Sequence, residues 1–187
     1  MTQNEPDEVL LKMLAQAGPK LAQIRLWIDA LRNQVAERAR PVASYEFRLL
    51  PKYFPQQLLV TTMVVETDEL PKIPFGEFGL AEFADFGDMP AAGITYGDTY
   101  FVVPESSGEE SLHFHELIHV IQWRELGFDE FLLAYGVGLL TAGYTGSPLE
   151  AQAFRHQRRF DFGGDPYDVV KEVQRELGQM TLRPWFK

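Results

Sequence analysis

The sequence predicts a single α+β domain over all 187 residues. Segments near both ends carry apolar residues at helical spacing, whereas the middle of the chain has short runs of β-branched and aromatic residues around a turn. With 45% hydrophobic and 24% charged residues, the chain can bury one sizeable core. These observations predict a small sheet packed on helices, with further helices at both ends of the chain.

Residues 1–50 are expected to be a helical segment. Asp7 to Ala17 and Lys20 to Ala39 show two amphipathic patterns separated by Gly18-Pro19, and the second pattern is rich in basic residues. Four roles are compatible with this segment: a lid, a partner-binding element, an inhibitory pro-segment, or helices that pack within the same domain. The sequence leaves these alternatives open.

Two regions are predicted to form the sheet. Ile94 to Val103 is typical of a β-hairpin, because β-branched and aromatic residues flank a turn at Gly97-Asp98. Leu58 to Glu66 is a further apolar, β-branched run, and it predicts a third strand. Between these regions, Leu70 to Pro90 lacks helical or strand periodicity but contains four phenylalanines, so this long segment is expected to form a wall of a cleft.

A metal-binding pattern lies after the hairpin, where His115, Glu116 and His119 form His-Glu-x-x-His. Residues four apart on a helix project from one face, so the two imidazoles can bind one ion while Glu116 stands beside it. Two neutral nitrogen ligands leave positions for a third ligand and a water, whose proton the carboxylate can take. The pattern therefore predicts a Zn²⁺ site, and buried structural histidines are the alternative.

The flanking residues place this pattern on a helix from about Gly108 to Leu126. Ser107-Gly-Glu-Glu110 is a capping-box pattern, and Gly127 occupies the position of a left-handed helix end. On that helix Gln122 shares the histidine face and is a candidate for supporting the site, whereas His113 points about 200° away from His115 and is expected in the core or on the surface.

Two more helices are expected next, and the second begins with the candidate third ligand, Glu150. Phe128 to Leu140 predicts an apolar helix, and Ser147-Pro148-Leu149-Glu150 then opens another. The chain has no cysteine, so a carboxylate or one of the two remaining histidines must complete the site. However, Ser147 and Glu150 also fit an ordinary capping box, and the spacing alone does not separate capping from ligation.

The segments HELIHVIQ and SPLEAQAF together resemble the gluzincin zinc peptidases, in particular small bacterial metallopeptidases with HELxHVxQ and (N/S)PLExxA helices. The resemblance covers Leu58 to Phe160 and implies a zincin-like catalytic core over 58–160. It implies that His115, His119 and Glu150 bind Zn²⁺, with Glu116 as the general base. Thermolysin-like gluzincins place an Asp four residues after the ligand Glu to orient the first histidine, whereas this chain has Phe154.

The resemblance also implies a platform for the substrate. Gluzincins keep an edge strand just before the zinc helix, and extended peptides pair with it, which makes Tyr100 to Val103 the candidate. In thermolysin-like enzymes a Tyr or His stabilises the oxyanion of the reaction, so Tyr144 is a candidate catalytic residue. Its alternative role is an aromatic anchor for the turn before Glu150.

The remaining features limit the partners and the compartment. A last helix is expected from Asp165 to Leu177. The start of the chain is acidic and polar and no apolar run has the length of a membrane span, so we expect a cytoplasmic protein without membrane contact. The formal net charge of −10 argues against nucleic acid as a partner. The sequence does not indicate an oligomeric state.

Together the residues and the resemblance predict a zinc-dependent metallopeptidase that acts on a peptide or protein substrate. A zinc-containing peptide-binding or regulatory module without turnover is the alternative, and a metal-free helical interaction protein is a third hypothesis. Glu116 favours the enzyme, because a purely structural zinc site has no need of a base beside the ion.

Overall fold

The computed structural model of the chain describes residues 5–80 and 91–180, with side chains from residue 20 onward. It confirms the α+β class, since the described chain is mostly helical with one four-stranded mixed sheet. None of the described helices is long and apolar enough to cross a membrane. The elements in chain order are α1 (Glu5–Val35), β1 (Arg40–Pro41), α2 (Gln56–Thr61), β2 (Met63–Glu66), β3 (Gly93–Tyr96), β4 (Thr99–Val102), α3 (Glu110–Leu126), α4 (Phe128–Gly146), α5 (Pro148–Asp161) and α6 (Val169–Gln179).

The sheet has the order β1-β2-β4-β3. The predicted hairpin is confirmed, with β3 and β4 antiparallel and Gly97 in its turn at a φ of 67°. On its other side β4 pairs in parallel with β2, so that Tyr100 lies between Val64 and Thr95. The prediction that Tyr100 to Val103 forms the free edge is therefore wrong. A strand distant in sequence occupies that side of β4, and among the described residues β3 lies at the edge of the sheet.

The predicted strand from Leu58 to Glu66 is wrong in its first half. Gln56–Thr61 is a helix, and the strand begins at Met63. The helix starts after Pro55, and its adjacent residues Leu58 and Leu59 are both buried, which a strand with one buried face does not allow.

α1 is a single helix that runs through Gly18 and Pro19, so the prediction of two separate helices is wrong. Pro19 lacks an amide hydrogen and therefore removes a single helical hydrogen bond, which packing of the remaining helix can offset. Leu21, Ile24 and Ile28 are buried in the core at helical spacing. This part of the N-terminal segment thus packs as a helix of the same domain.

α3 begins two residues after its predicted start, and its capping box does not form. Ser107 Oγ donates to the carbonyl of Pro104 at 2.9 Å, and Glu109 is the N-cap without a side-chain cap bond. Gly127 ends α3 as predicted, with a φ of 76°, and is also the N-cap of α4. Eleven consecutive residues of α3, from His113 to Trp123, are buried. The two candidate histidine ligands therefore sit on a helix that is buried through its middle.

α4 and α5 follow with little connecting chain. The apolar helix predicted from Phe128 is confirmed and continues to Gly146, with a break at Gly143, where φ is 70°. A Cβ on Gly138 would lie 2.5 Å from Ser147 Oγ, so this glycine lets the two helices approach closely. The last helix, α6, starts after Asp168, whose carboxylate accepts the Lys171 amide at 3.1 Å.

Candidate metal centre

The three predicted metal ligands come together in the interior of the domain. The Nε2 atoms of His115 and His119 lie 3.0 Å apart. Glu150 Oε2 lies 3.4 Å from His115 Nε2, and Glu150 Oε1 lies 3.4 Å from His119 Nε2. All three side chains are buried, and they form the one group of three or more potential ligands found among the described residues.

This group fits a zinc ion. Ligand distances of about 2.0–2.2 Å in a tetrahedral site place neighbouring donor atoms about 3.3–3.6 Å apart. Both distances from Glu150 to the histidines, 3.4 Å, lie in this range, and the two Nε2 atoms are slightly closer at 3.0 Å. Glu150 Oε2 is buried and has no hydrogen-bond partner. A buried carboxylate oxygen without a partner is costly, and a cation between it and the imidazoles would remove that cost. His115, His119 and Glu150 would hold the ion.

The structure also separates ligation from capping at the start of α5. Ser147 is the N-cap but makes no side-chain cap bond, and its hydroxyl is buried without a partner. The carboxylate of Glu150 instead faces the histidines and accepts the Tyr135 hydroxyl at 2.7 Å. The capping-box interpretation of Ser147 and Glu150 is therefore wrong.

His119 is oriented by Gln122, as the shared helix face suggested. His119 Nδ1 lies 2.8 Å from Gln122 Oε1, and Gln122 Nε2 donates to the Leu149 carbonyl and to Gln152 Oε1, each at 2.9 Å. A backbone carbonyl can only accept, so the amide nitrogen of Gln122 faces Leu149 and its oxygen faces the histidine. His119 Nδ1 therefore donates, and its Nε2 lone pair is directed at the ligand group.

His115 is held in the same way by a residue that no pattern in the sequence marks. Its Nδ1 lies 3.0 Å from Gln157 Oε1, and Gln157 Nε2 donates to Ser111 Oγ at 3.0 Å. Phe154, at the position where the family resemblance implies an Asp, packs against the His115 ring with centroids 4.7 Å apart. Gln157 thus performs the orienting task, one helical turn further along α5.

The electrostatics of the group formed by His115, His119 and Glu150 favour a bound positive charge. Two imidazole lone pairs and a carboxylate converge in a buried space, where an uncompensated set of acceptors is unfavourable. Burial alone lowers the pKa of His119, but the facing Glu150 carboxylate raises that pKa to about 9. Burial raises the pKa of Glu150, yet the two imidazoles hold it well below its usual range. Without a metal, the site retains a proton in its place.

Glu116 is fixed beside this group by the edge strand. Thr95 Oγ1 donates to Glu116 Oε2 at 2.6 Å. A Cβ on Gly93 would lie 2.5 Å from Glu116 Oε1, so only glycine leaves room for the carboxylate there. Burial raises the pKa of Glu116, while His115, His119 and the Thr95 bond oppose that rise. A raised carboxyl pKa suits a group that accepts a proton near neutral pH.

The two other histidines lie outside the group and are not available as third ligands. His113 is in the core, where Tyr100 Oη and the Ser107 carbonyl lie 2.5 and 2.9 Å from its ring nitrogens. His156 contacts Tyr167 Oη at 2.7 Å and Glu176 at 3.1 Å. Both are satisfied by partners of their own.

Two tyrosines border the site. Tyr144 lines the same cavity as the metal ligands and also packs edge-on against Phe154, with centroids 5.9 Å apart. Tyr135, which no pattern in the sequence marks, donates directly to Glu150. It lies in the apolar helix that begins at Phe128 and stacks on Phe131, so the sequence does not distinguish it from a core residue.

Residues 70–80 also line this cavity, which confirms, for the described part of that segment, the prediction that it forms a wall of a cleft.

Comparisons of the chain with protein families, with curated proteins and with solved structures find no match.

Proposed function

We propose that this chain is a zinc-dependent peptidase of the gluzincin type with a zincin-like fold. The observation that carries the proposal is the buried group of His115, His119 and Glu150 with the Glu116 carboxylate on the same cavity. A structural zinc site is closed by four protein ligands, whereas this group has three and leaves a position for water and substrate. The substrate would be a peptide or a protein.

The zinc ion and the side chains would have different roles in the reaction. When bound, Zn²⁺ supplies Lewis acidity that polarises the scissile carbonyl and lowers the pKa of water to about 7. Glu116 takes one proton from the attacking water and delivers it to the leaving amine nitrogen as the C–N bond breaks. The hydroxyl of that water joins the carbonyl carbon. Thr95 would hold Glu116 in position through its hydrogen bond to Oε2.

β3 supplies a backbone edge on which an extended peptide can lie. Val103 N donates to Ala92 O at 3.0 Å, and bonding alternates along an antiparallel pair. Ala92 and Ile94 therefore direct their backbone groups at β4, while those of Gly93 and Thr95 face outward and have no strand partner among the described residues. Gly93 and Thr95 also adjoin Glu116: the Thr95 hydroxyl donates to its carboxylate, and Gly93 leaves room for that carboxylate. A peptide added to this edge would pass beside the general base.

Zinc content and a single substitution test the proposal. The purified protein should contain one Zn²⁺ per chain by elemental analysis, and His119→Ala should lose it. Glu116→Gln should retain the metal and cut hydrolysis of a mixed peptide library, read by mass spectrometry, by at least the ~10²-fold typical of a general base.

The same experiment separates the enzyme from the alternatives. A wild-type protein that binds zinc fully but cleaves no peptide would favour a peptide-binding module without turnover. A protein that binds no zinc would remove the proposed site altogether.

A further inference from the structure

A continuous series of hydrogen bonds leads from His119 out of the candidate metal centre to α6. His119 Nδ1 lies 2.8 Å from Gln122 Oε1. Gln122 Nε2 donates to Gln152 Oε1, and Gln152 Nε2 donates to Glu176 Oε2, each at 2.9 Å. This glutamine relay, formed by His119, Gln122, Gln152 and Glu176, crosses from α3 through α5 to α6 and ends on a carboxylate.

Every hydrogen bond of the glutamine relay runs in the same direction. Gln122 Nε2 also donates to the Leu149 carbonyl at 2.9 Å, and Gln152 Nε2 also donates to the Val173 carbonyl at 3.3 Å. A backbone carbonyl only accepts, so these two contacts fix which end of each amide is the nitrogen. Both amide oxygens therefore accept from the direction of the metal centre, and the first donor is the Nδ1 hydrogen of His119.

The two glutamines are held in one geometry. Both side chains are fully buried, and each accepts one hydrogen bond and donates two. A fully satisfied buried network rigidifies the groups that it joins. Apolar side chains of similar shape would fill the same space at little or no cost in stability, so stability alone does not require two buried glutamines in series.

Glu176 supplies a full negative charge at the outer end of the glutamine relay. Its side chain is 18% exposed and pairs with Arg155, so it lies at the boundary between core and solvent. Burial raises the pKa of Glu176, but hydrogen bonds with Gln152, His156 and Arg155 hold that pKa below its usual value. Glu176 is therefore ionised at neutral pH.

We propose that Glu176 is a positioning residue for the metal centre and acts on His119 through Gln152 and Gln122. The carboxylate attracts the amide hydrogens of Gln152, and each polarised amide strengthens the next hydrogen bond. The Gln122 oxygen then accepts more strongly from His119 Nδ1, which makes Nε2 of the same ring a more basic ligand. The inference rests on the zinc site of the proposed function and extends it to α6, which contributes no candidate ligand.

The first test is the zinc affinity of Glu176→Gln, measured by competition with a chromophoric chelator. The new amide oxygen can still accept from Gln152, but the charge is lost. We expect affinity to fall about 3- to 10-fold, less than the about 10- to 100-fold effect of removing a direct partner of a ligand. Glu176→Asp keeps the charge and should restore most of the affinity.

Glu172→Gln is the matched control for this test. Glu172 lies on the same helix and pairs with Arg175 at the surface, and no hydrogen bond among the described residues connects it to the glutamine relay. The substitution makes the same change in net charge as Glu176→Gln. It should leave the zinc affinity unchanged.

The second test follows the relay itself by NMR of zinc-loaded protein with ¹⁵N-labelled histidine. A weaker hydrogen bond moves the signal of the His119 Nδ1 hydrogen upfield, so Glu176→Gln should shift it. The Nδ1 hydrogen of His115 bonds Gln157 instead and should keep its position. Gln152→Met interrupts the relay with an apolar side chain of similar length and should produce the same selective shift. It provides a second variant if Glu176→Gln does not fold, which urea unfolding reveals.

The outcomes separate the inference from the proposed function. Unchanged zinc affinity in Glu176→Gln, or an equal loss in Glu172→Gln, would overturn the inference and leave the proposed peptidase intact. Equal shifts of the His115 and His119 signals would also overturn it, because a general disturbance of the site would then explain the loss. Weaker zinc binding with a selective His119 shift, in a protein that cleaves no peptide, would support the inference and contradict the peptidase.

Discussion

The side-chain oxygen of Gln157 lies 3.0 Å from Nδ1 of His115, across the interface between α3 and α5. His119 has the same kind of partner in Gln122, so the imidazoles of both candidate metal ligands are oriented by neutral amides. A carboxylate in this position raises the basicity of a histidine ligand more than an amide does. The orientation of both rings is therefore secured without adding negative charge beside the buried Glu150.

We expect Gln157→Leu to weaken zinc binding by about 10- to 100-fold, the usual effect of removing a group that orients a metal ligand. The ring of His115 would keep its packing on Phe154 but lose the bond that fixes its tautomer. Competition with a chromophoric chelator measures the affinity. Gln174→Leu is the control, because that glutamine bonds Glu125 at the surface. Equal zinc affinity in both variants would show that Gln157 has no orienting role.

Gly93→Ala should impair hydrolysis while zinc stays bound. The new methyl group would meet the Glu116 carboxylate at 2.5 Å and displace it. A misplacement of about 1 Å in a reacting group can cost about 10²-fold in rate, and we expect a loss of that order in kcat. Gly108→Ala is the matched control, since a Cβ there meets nothing within 4 Å. Full activity in Gly93→Ala would contradict the assigned position of the general base.

Short-range patterns in the sequence were sufficient to select His115, His119 and Glu150, which the structure brings together, because they lie on two helices that the sequence predicts. The contacts that complete the site depend on tertiary structure. Gln157 reaches Ser111 and His115 across 46 and 42 positions of the chain. No local signal marks such a residue in a polar stretch of helix.

The identity of the edge strand likewise depends on tertiary structure and is not predicted by local patterns. The hairpin from Ile94 to Val103 is recognisable, but which of its strands is free depends on β2, which pairs with β4 in parallel across more than thirty residues. The capping boxes predicted at two helix starts are also wrong. Ser107 donates to the Pro104 carbonyl, and Ser147 makes no side-chain cap bond. A capping pattern indicates only a local preference of the backbone. At Ser147, the close approach of α4 at Gly138 overrides that preference.

Glu150→Gln should weaken zinc binding sharply with little loss of fold stability. The amide still accepts the Tyr135 hydroxyl, while its nitrogen can donate to an imidazole lone pair in the metal-free protein. The variant loses the anionic ligand of the ion. Chelator competition and urea unfolding of the metal-free protein measure the two effects. Unchanged zinc affinity would remove Glu150 from the ligand set.

Ser147→Ala is expected to keep both zinc and stability. A working N-cap serine would cost about 1 kcal/mol on removal, but this hydroxyl is buried and makes no cap bond. The free energy of unfolding should therefore change by well under that amount, or rise. A loss of about 1 kcal/mol or more in urea unfolding would show that Ser147 caps α5 in solution.

The metal-free protein should lose stability as the pH falls below about 6.5, in part through His113. Burial lowers the pKa of His113 in the folded state, so the unfolded chain takes up a proton first. His119, with a pKa raised to about 9, contributes stability that is complete below 6.5 and is lost only as the pH rises. His113→Gln should make the dependence of unfolding free energy on pH shallower by up to about 1.4 kcal/mol per pH unit.

Urea unfolding of the wild type and of His113→Gln, with a chelator present at pH 7.0, 6.0 and 5.5, checks this expectation. Other groups titrate alike in both proteins, so the difference between their unfolding free energies reports on His113. Burial likewise lowers the pKa of His156, which should leave a residual slope in the variant. Parallel curves for the wild type and His113→Gln would contradict the assignment of His113 as a neutral core residue.

The groups that would hold the ion and move the proton in the proposed enzyme all come from one continuous stretch, residues 93–157. α1 contributes none of these groups and adds Leu21 and Ile24 to the wall of the cavity beside them. In the proposed enzyme, substitutions in the first helix can therefore change the shape of the cavity while every proposed ligand and the proposed base keep their own supports.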